Sequence, residues 1–168
     1  MFETKAEAVR FEGTTPILSV RSLSASIDYY VHILGFKLDW QVETSGFASV
    51  SRNRCGIFLC EGDQGHFGTW VWIGVEDAEA LFEEYRVMGA RVRHPPTNYL
   101  WAYEMQVEDL DGNILRLGSE PKPEQPCGEW LDMRGDRWLP SSDGGWVRAG
   151  SDGRSFRTMQ VTLEPDHS

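Results

Sequence analysis

Histidine and cysteine are the residues of this chain whose chemistry could hold a metal or attack a substrate. The histidines are His32, His66, His94 and His167. They share no metal-ligand spacing, so each is better explained as a surface residue. The cysteines are Cys55, Cys60 and Cys127. They form no Cys-x-x-Cys pair and are expected to be reduced thiols. Neither a structural zinc site nor a nucleophile motif such as Gly-x-Ser-x-Gly is indicated.

Alternation along the strand-like segments separates two kinds of sheet face. One set is aliphatic and predicts a core packed against helices: Leu18, Val20, Ile57, Leu59, Val71, Ile73, Val75, Met105, Val107, Leu115 and Leu117. The complementary set mixes aromatic and polar residues: Thr15, Ile17, Ser19, Phe58, Cys60, Trp70, Trp72, Glu104, Gln106 and Arg116. A face of this second kind suits a ligand cleft, where apolar walls carry a few fixed polar groups.

The elements that would position these faces occur twice. A strand at residues 15–21 precedes the amphipathic helix SLSASIDYYVHILG, which is followed by the strands FKLDWQVE, FASVSR and CGIFLCE. The pattern then repeats with TWVWIGV, the helix EDAEALFEEYRVMG, ARVRH, YEMQVED and NILRLGS. Both helices end in glycine, Gly35 and Gly89, which favours left-handed caps. We therefore predict an α+β fold of tandem βαβββ modules at about 15–62 and 67–119, with curved mixed sheets lining clefts.

The second helix is expected to bury one stripe against its sheet. The stripe consists of Ala78, Leu81, Phe82, Tyr85 and Met88.

Two segments lie outside the predicted domain. Residues 1–14 form an N-terminal extension, and residues 120–168 form a C-terminal extension that opens with the proline-rich spacer PKPEQP. Within the latter, Trp130, Trp138 and Trp146 recur about every eight residues, and MQVTLE is a candidate final strand. Part of this extension is expected to fold against the domain or a partner subunit.

Charge and hydropathy make several partners improbable. The formal net charge of -10 disfavours nucleic acid and anionic lipid and favours cations. No stretch has the roughly 18 to 20 apolar residues of a membrane span, and the start lacks the pattern of a secretory signal. With its unpaired thiols, the chain is expected to be cytoplasmic.

The motifs SIDYYVHILGF, FASV, WVWIGVEDAEALFEEY and VEDLDGNILRLGSE, in this order, resemble the bleomycin-resistance branch of the glyoxalase/bleomycin resistance protein/dioxygenase, or vicinal oxygen chelate, superfamily. The resemblance covers residues 15–120. It implies paired βαβββ modules around a cleft, usually in a homodimer whose clefts draw on both subunits.

The resemblance also locates the metal ligands of the superfamily's enzymes, one each from the first and fourth strand of a module. The corresponding residues here are Thr15, Phe58, Trp70 and Arg116. None replaces a His or Glu ligand, and Arg116 would place a positive charge where the cation sits. The resemblance therefore predicts that the metal site is absent and that the chain needs no cofactor.

The bleomycin-binding relatives also lack the metal and stack the flat part of the drug between two aromatic residues. The matching positions are Phe47, which in the relatives works across the subunit boundary, and Trp101. By this resemblance Trp70, Trp72 and Phe58 would form walls, and Glu104 and Gln106 would make polar contacts. Arg116 is expected to pair with Glu104 and orient it.

The sequence thus favours a homodimeric, non-catalytic protein that sequesters a planar cationic small molecule, such as a bleomycin-type antibiotic, and so confers resistance. Two alternatives stay open. One is a metal-dependent lyase, isomerase or dioxygenase of the same superfamily. The other is a scaffold that acts through residues 120–168.

Overall fold

The computed structural model describes residues 12–128, 130–131, 137–140 and 146–148, which form two α-helices, one short 3-10 helix (Glu43–Ser45) and eleven strands. The helices are α1 (Leu23–His32) and α2 (Ala78–Met88). The first four strands are β1 (Ile17–Ser19), β2 (Lys37–Val42), β3 (Phe47–Arg52) and β4 (Cys55–Cys60). The next four are β5 (Trp70–Gly74), β6 (Val92–Asn98), β7 (Tyr103–Glu108) and β8 (Ile114–Ser119). Three short strands follow: β9 (Trp130–Leu131), β10 (Arg137–Pro140) and β11 (Trp146–Arg148).

The sheets repeat one strand order. The first sheet runs β1-β4-β3-β2, and the second runs β5-β8-β7-β6, which is the same order advanced by four strands. In the first sheet β1 lies parallel to β4, whereas β3 pairs antiparallel with both β4 and β2. Each helix follows the first strand of its sheet. This is the tandem βαβββ arrangement predicted from the sequence, and the α+β fold is confirmed.

The described chain divides into two compact units. The first takes in the described residues up to Val71, together with Met88–Ala90 and Glu108–Ile114. The second takes in Trp72–Val87, Arg91–Val107 and the described residues from Leu115 onward.

Both helices begin after a side chain that can cap the N-terminus and are followed by a glycine. Ser22 caps α1, its Oγ accepting a hydrogen bond from the Ala25 N–H at 3.4 Å, and Asp77 Oδ1 accepts from the N–H groups of Glu79 and Ala80 at the start of α2. Beyond the helices, Gly35 and Gly89 adopt positive φ angles of 70° and 77°. Glycine is favoured there because it lacks the Cβ that makes the left-handed region costly.

The aliphatic set predicted as core is largely buried. In the first unit Leu18, Val20, Ile57 and Leu59 are at most 2% exposed. Met105, Val107, Leu115 and Leu117 are similarly enclosed, and only the β5 members Val71, Ile73 and Val75 are half-buried. The predicted burial of one residue in the α2 stripe was wrong. Met88 is exposed because it is the last helical residue, a turn beyond the buried Tyr85.

The strand predicted as ARVRH extends further than its sequence indicated. β6 continues through Pro95 and Pro96 to Asn98, and its pairing with β7 shifts register between His94 and Thr97, where the prolines lie. Proline cannot donate to a sheet ladder, but β6 is the edge strand of its sheet and has β7 as its one neighbouring strand there.

The motif VEDLDGN forms a buried polar turn between β7 and β8. Asp109 is 1% exposed, and its Oδ1 accepts hydrogen bonds from the N–H groups of Asp111 and Asn113, both at 2.8 Å. Tyr30 donates to Asp109 Oδ2 at 3.2 Å, and Asp111 accepts from Arg21. Burial raises the pKa of Asp109 above its usual value. These carboxylates are therefore committed to holding the fold.

The proline-rich spacer is fastened to the second unit by a buried amide. Asn98 Nδ2 donates to the carbonyl oxygens of Lys122 and Gln125 at 2.8 and 2.9 Å, and Asn98 Oδ1 accepts from the Lys122 N–H at 2.8 Å. Lys122 also forms an ion pair with Glu79 and places its ammonium 4.2 Å from the Tyr103 ring centroid. The spacer is thus an ordered strap across this unit.

Beyond the spacer, each of the three recurring tryptophans falls in its own short strand. β9, β10 and β11 form an antiparallel sheet in the order β11-β10-β9. The strand predicted at MQVTLE lies outside the described residues. Neither described helix has the length and hydropathy needed to cross a membrane.

Candidate functional site

Three aromatic rings cluster on one face of the first sheet. Phe47 of β3, Phe58 of β4 and Trp40 of β2 lie with ring centroids 5.5 to 5.9 Å apart, and Trp40 stacks on Phe47 at an interplanar angle of 22°. Trp40 remains 43% exposed. We call these three residues the first aromatic group; its spacing is that of favourable aromatic pairs.

A β-bulge turns Trp40 toward this group. In the β2–β3 pair, Leu38 lies opposite Val50 and Trp40 opposite Ser49, which leaves Asp39 as an extra residue on β2. One extra residue reverses the alternation, so Leu38 shares the face of buried Val50, whereas Trp40 shares the face of Ser49 and Phe58.

The carboxylate of the bulge residue is held by neighbouring polar groups. Asp39 accepts hydrogen bonds from the hydroxyls of Ser49 at 3.2 Å and Ser51 at 2.9 Å, and pairs with Lys37 at 3.0 Å. Hydrogen bonding from Lys37 and then from Ser51 lowers the pKa of Asp39 below its usual value. Asp39 therefore keeps its charge beside the first aromatic group.

Trp70 and Trp72, predicted as cleft walls, project from β5 and are each more than half exposed. The absence of a side chain at Gly118 leaves space for the Trp72 ring. A Cβ added at Gly118 would lie 3.2 Å from the Trp72 ring and 3.4 Å from Ala102 Cβ. The indole of Trp72 therefore lies directly against the β8 backbone.

Glu104 and Arg116 form the ion pair that the sequence predicted. Glu104 of β7 is 3% exposed, and its Oε1 accepts from Arg116 Nε at 3.1 Å and Nη2 at 2.5 Å. The Arg116 side chain, on the neighbouring strand β8, is 32% exposed. A buried carboxylate is costly unless paired, so this contact fixes both side chains.

Trp101 extends the pair into an aromatic surface. Its indole Nε1 donates to Glu104 Oε2 at 3.4 Å, and one side of its ring is covered by Tyr99, with ring centroids 4.9 Å apart and an interplanar angle of 4°. Tyr99 is buried, and burial followed by the charge of Glu104 raises its pKa. Trp101 is 43% exposed. We call Tyr99, Trp101, Glu104 and Arg116 the second group.

Gln106 lies two residues beyond Glu104 on β7 and therefore shares its face. Its partner across the sheet is His94 of β6. Residues directly opposite in an antiparallel pair point to the same side. His94, expected only as a surface residue, thus joins the polar part of this face, where its Nδ1 lies 2.8 Å from the Pro95 carbonyl oxygen.

The four residues that the family resemblance matches to metal ligands have side chains that do not suit a divalent cation. Phe58 and Trp70 offer no ligand atom, and the guanidinium of Arg116 is a cation already bonded to Glu104. Thr15 supplies only a neutral hydroxyl. Among the described residues, moreover, no three His, Cys, Asp or Glu side chains are grouped as metal ligands would be.

Five of the eight predicted ligand-binding residues thus fall into two contacting sets, which do not include Trp70, Trp72 and Gln106. Phe47 and Phe58 contact each other in the first unit, and Trp101, Glu104 and Arg116 form a connected group in the second. Sequence reasoning missed Trp40 and Tyr99, which stack on the predicted Phe47 and Trp101. For Tyr99 a signal existed, since an aromatic residue two positions from a predicted stacking ring is a candidate partner.

Comparison with known proteins identifies the family to which this fold belongs. The family model described as Glyoxalase/Bleomycin resistance protein/Dioxygenase superfamily matches residues 12–117. Among proteins with curated functions, none matches this chain.

Solved structures share the fold. The bleomycin-binding protein of the bleomycin producer Streptomyces verticillus, complexed with copper(II)-bleomycin, is similar at a TM-score of 0.58 and 25% identity, covering 68% of this chain and 100% of its own. A glyoxalase/bleomycin resistance protein/dioxygenase from Nocardioides has a TM-score of 0.54 and 18% identity, covering 73% and 92%. TioX from Micromonospora sp. ML1 has a TM-score of 0.54 and 19% identity, covering 64% and 99%. The family match over residues 12–117 and the repeated strand order agree, and the chain belongs to the glyoxalase/bleomycin resistance protein/dioxygenase superfamily.

Proposed function

We propose that this protein binds and sequesters a planar, cationic small molecule, with a bleomycin-type antibiotic as the first candidate. The observation that carries the proposal is Trp101, an exposed indole backed by Tyr99 and tethered to Glu104. Likeness to a bleomycin-binding protein at 25% identity supports the choice of ligand class. Sequestration requires affinity alone and would by itself give resistance.

The second group is suited to stacking because it is already ordered. Tyr99 covers one side of the Trp101 ring, and Trp101 is still 43% exposed, so a ligand would stack on the accessible part of the indole. Each stacked pair contributes about 0.5 to 1.5 kcal/mol beyond the burial of area. A cationic ring adds about 0.5 to 2 kcal/mol of cation–π attraction. Since Glu104 fixes the indole in advance, little conformational entropy is lost on binding.

The remaining candidate site residues would offer further contacts, each within its own unit. Phe47 and Phe58, joined by Trp40, would supply a second stacking surface, and Trp70 and Trp72 would supply walls. Gln106 would make a polar contact. Glu104, also expected to do so, is 3% exposed and has both oxygens engaged, so it would act by holding Arg116 and Trp101 in place.

We propose further that binding needs no metal, because the residues at the four superfamily positions lack ligand chemistry. The functional form would be a homodimer. Every residue of the edge strand β2 is exposed, including the apolar Leu38, Trp40 and Val42, and a second copy would cover such an edge. The free thiols of Cys55, Cys60 and Cys127 agree with a reducing cytoplasm.

Thermal unfolding with metal-free bleomycin tests the proposal. A ligand at about a hundredfold excess over its dissociation constant stabilises the folded state by about 2.7 kcal/mol, which raises the melting temperature measurably. Trp101→Ala should lose most of this shift, because truncating an aromatic anchor costs on the order of 2 to 4 kcal/mol of binding.

The matched control is Phe67→Ala, which removes an exposed ring that contacts Arg21 and lies outside both groups. It should keep the shift. The whole series is run with and without chelator. A shift that appears only with added divalent metal, or one that Trp101→Ala leaves intact, would contradict the proposal.

A further inference from the structure

The guanidinium of Arg116 has hydrogen-bonding capacity that the fold does not use. A guanidinium has five N–H donors. In Arg116 the Nε–H and one N–H of Nη2 donate to Glu104 Oε1, so three N–H groups do not take part in this ion pair. Within the described part of the chain, Glu104 is the partner of this side chain. Since the side chain is 32% exposed, the outer edge of the guanidinium can be reached by a ligand.

The buried partner offers a ligand little by comparison. Glu104 is 3% exposed, and both of its oxygens are engaged, Oε1 by Arg116 and Oε2 by the Trp101 indole. The outward end of the ion pair is therefore its positive end. A planar guanidinium held in one orientation is well matched to a carboxylate, which it can bind through two parallel hydrogen bonds.

This cation stands beside a stacking surface. Arg116 and Trp101 are bonded to opposite oxygens of the same Glu104 carboxylate, so their relative position is set by one buried group. A ring on the exposed side of Trp101 could thus extend a substituent toward Arg116. Trp101 donates its only polar hydrogen to Glu104, which leaves Arg116 as the cationic donor of the second group that such a substituent could reach.

We propose that Arg116, at a position where superfamily enzymes hold a metal, anchors a carboxylate carried by the planar ligand. The inference rests on the proposed stacking function and adds the ligand's chemical class: an aromatic ring system bearing a carboxylate. The ring binds Trp101, and the carboxylate accepts hydrogen bonds from the outer edge of the Arg116 guanidinium.

Three acridines of equal ring size and ring charge test this. They are 9-aminoacridine, its 2-carboxamide and its 2-carboxylic acid, whose substituents are too far from the ring nitrogen to bond to it, and fluorescence titration gives the dissociation constant of each. For the full-length protein we expect the carboxylate to bind on the order of tenfold more tightly than 9-aminoacridine, as charge-assisted hydrogen bonds would give. The carboxamide, a neutral acceptor, should fall between them.

The double variant Glu104→Gln/Arg116→Gln removes both charges without leaving one unpaired, and the ratio between carboxylate and parent should fall to about one. Arg116→Lys keeps a positive charge opposite Glu104 and provides a second test if the double variant does not fold. By replacing the planar fork with one ammonium, it should lower the ratio to about threefold.

Two results would overturn the inference alone: equal dissociation constants for 9-aminoacridine and its carboxylate, or a carboxylate preference that survives in both variants. If none of the three acridines binds, the stacking function itself fails and the inference with it. The two failures are thereby distinguished.

Discussion

At the scale of single residues, Arg116 changes what this sheet face can do. It pairs with Glu104, which is almost fully buried, at a position where the family resemblance leads us to expect a metal ligand. The outcome is a preorganised polar group beside Trp101. A guanidinium bonded to a carboxylate offers hydrogen-bond donors and no metal-ligand atom.

This pairing has a stability consequence. Arg116→Ala would leave the Glu104 carboxylate buried and unpaired, and we expect a loss of about 2 to 4 kcal/mol in the free energy of unfolding. This loss is slightly smaller than that expected for breaking a fully buried ion pair, because the Arg116 guanidinium is partly exposed. Arg86→Ala is the control, since it removes an exposed ion pair with Glu83 and should cost far less stability than Arg116→Ala. Urea unfolding of both variants measures the difference. Equal costs would show that the Glu104–Arg116 pair is not structurally required.

At the scale of elements, irregularities decide which side chains face the candidate site. Strict alternation along FKLDWQVE would put Leu38 and Trp40 on the same face, and only the bulge at Asp39 separates them. A bulge depends on the pairing of two strands, so a single strand's pattern does not reveal it. The length of β6 is also hidden from its own sequence. Pro95 and Pro96 suggest that the strand ends before them, but β6 lies at the edge of its sheet, where prolines are tolerated.

The strap formed by the proline-rich spacer depends on one side chain. Asn98→Ala removes three hydrogen bonds to Lys122 and Gln125. At about 1 kcal/mol each, we expect a loss of roughly 2 to 3 kcal/mol in the free energy of unfolding. We also expect faster amide hydrogen exchange over residues 121–128. Exchange in this segment that matches the wild-type rate would show that the strap is held by other contacts. Leu100→Ala, an exposed neighbour in the connection after β6, is the control and should leave the exchange unchanged.

At the scale of the whole molecule, the sequence was sufficient for the fold and for part of the site. Two amphipathic helices ending at Gly35 and Gly89 marked the tandem modules, and the alternation of β7 and β8 put Glu104 and Arg116 on one face. The contributions of Trp40 and Tyr99 were not predicted. Trp40 depends on a bulge, and Tyr99 lies in the connection between β6 and β7, where no periodicity operates.

The proposed dimer is also a property of the whole molecule. Light scattering at tens of micromolar should give twice the chain mass of 19.1 kDa. Val42→Lys, which places a charge on the exposed edge strand β2, should shift the equilibrium toward monomer. Leu110→Lys, an exposed apolar residue away from that edge, should leave the mass unchanged. A monomeric wild-type protein would contradict the shared binding surface.

The central claim is that a planar ligand stacks on Trp101, and nuclear magnetic resonance of the tryptophan indole N–H groups tests it most directly. The chain has seven tryptophans, and the Trp101 signal is assigned from its loss in Trp101→Phe. Metal-free bleomycin, added in the presence of chelator, should shift or broaden the Trp101 signal more than any other, because a stacked ring lies against that indole. If bleomycin and 9-aminoacridine bind while the Trp101 signal stays unmoved, or if neither binds, the account is contradicted.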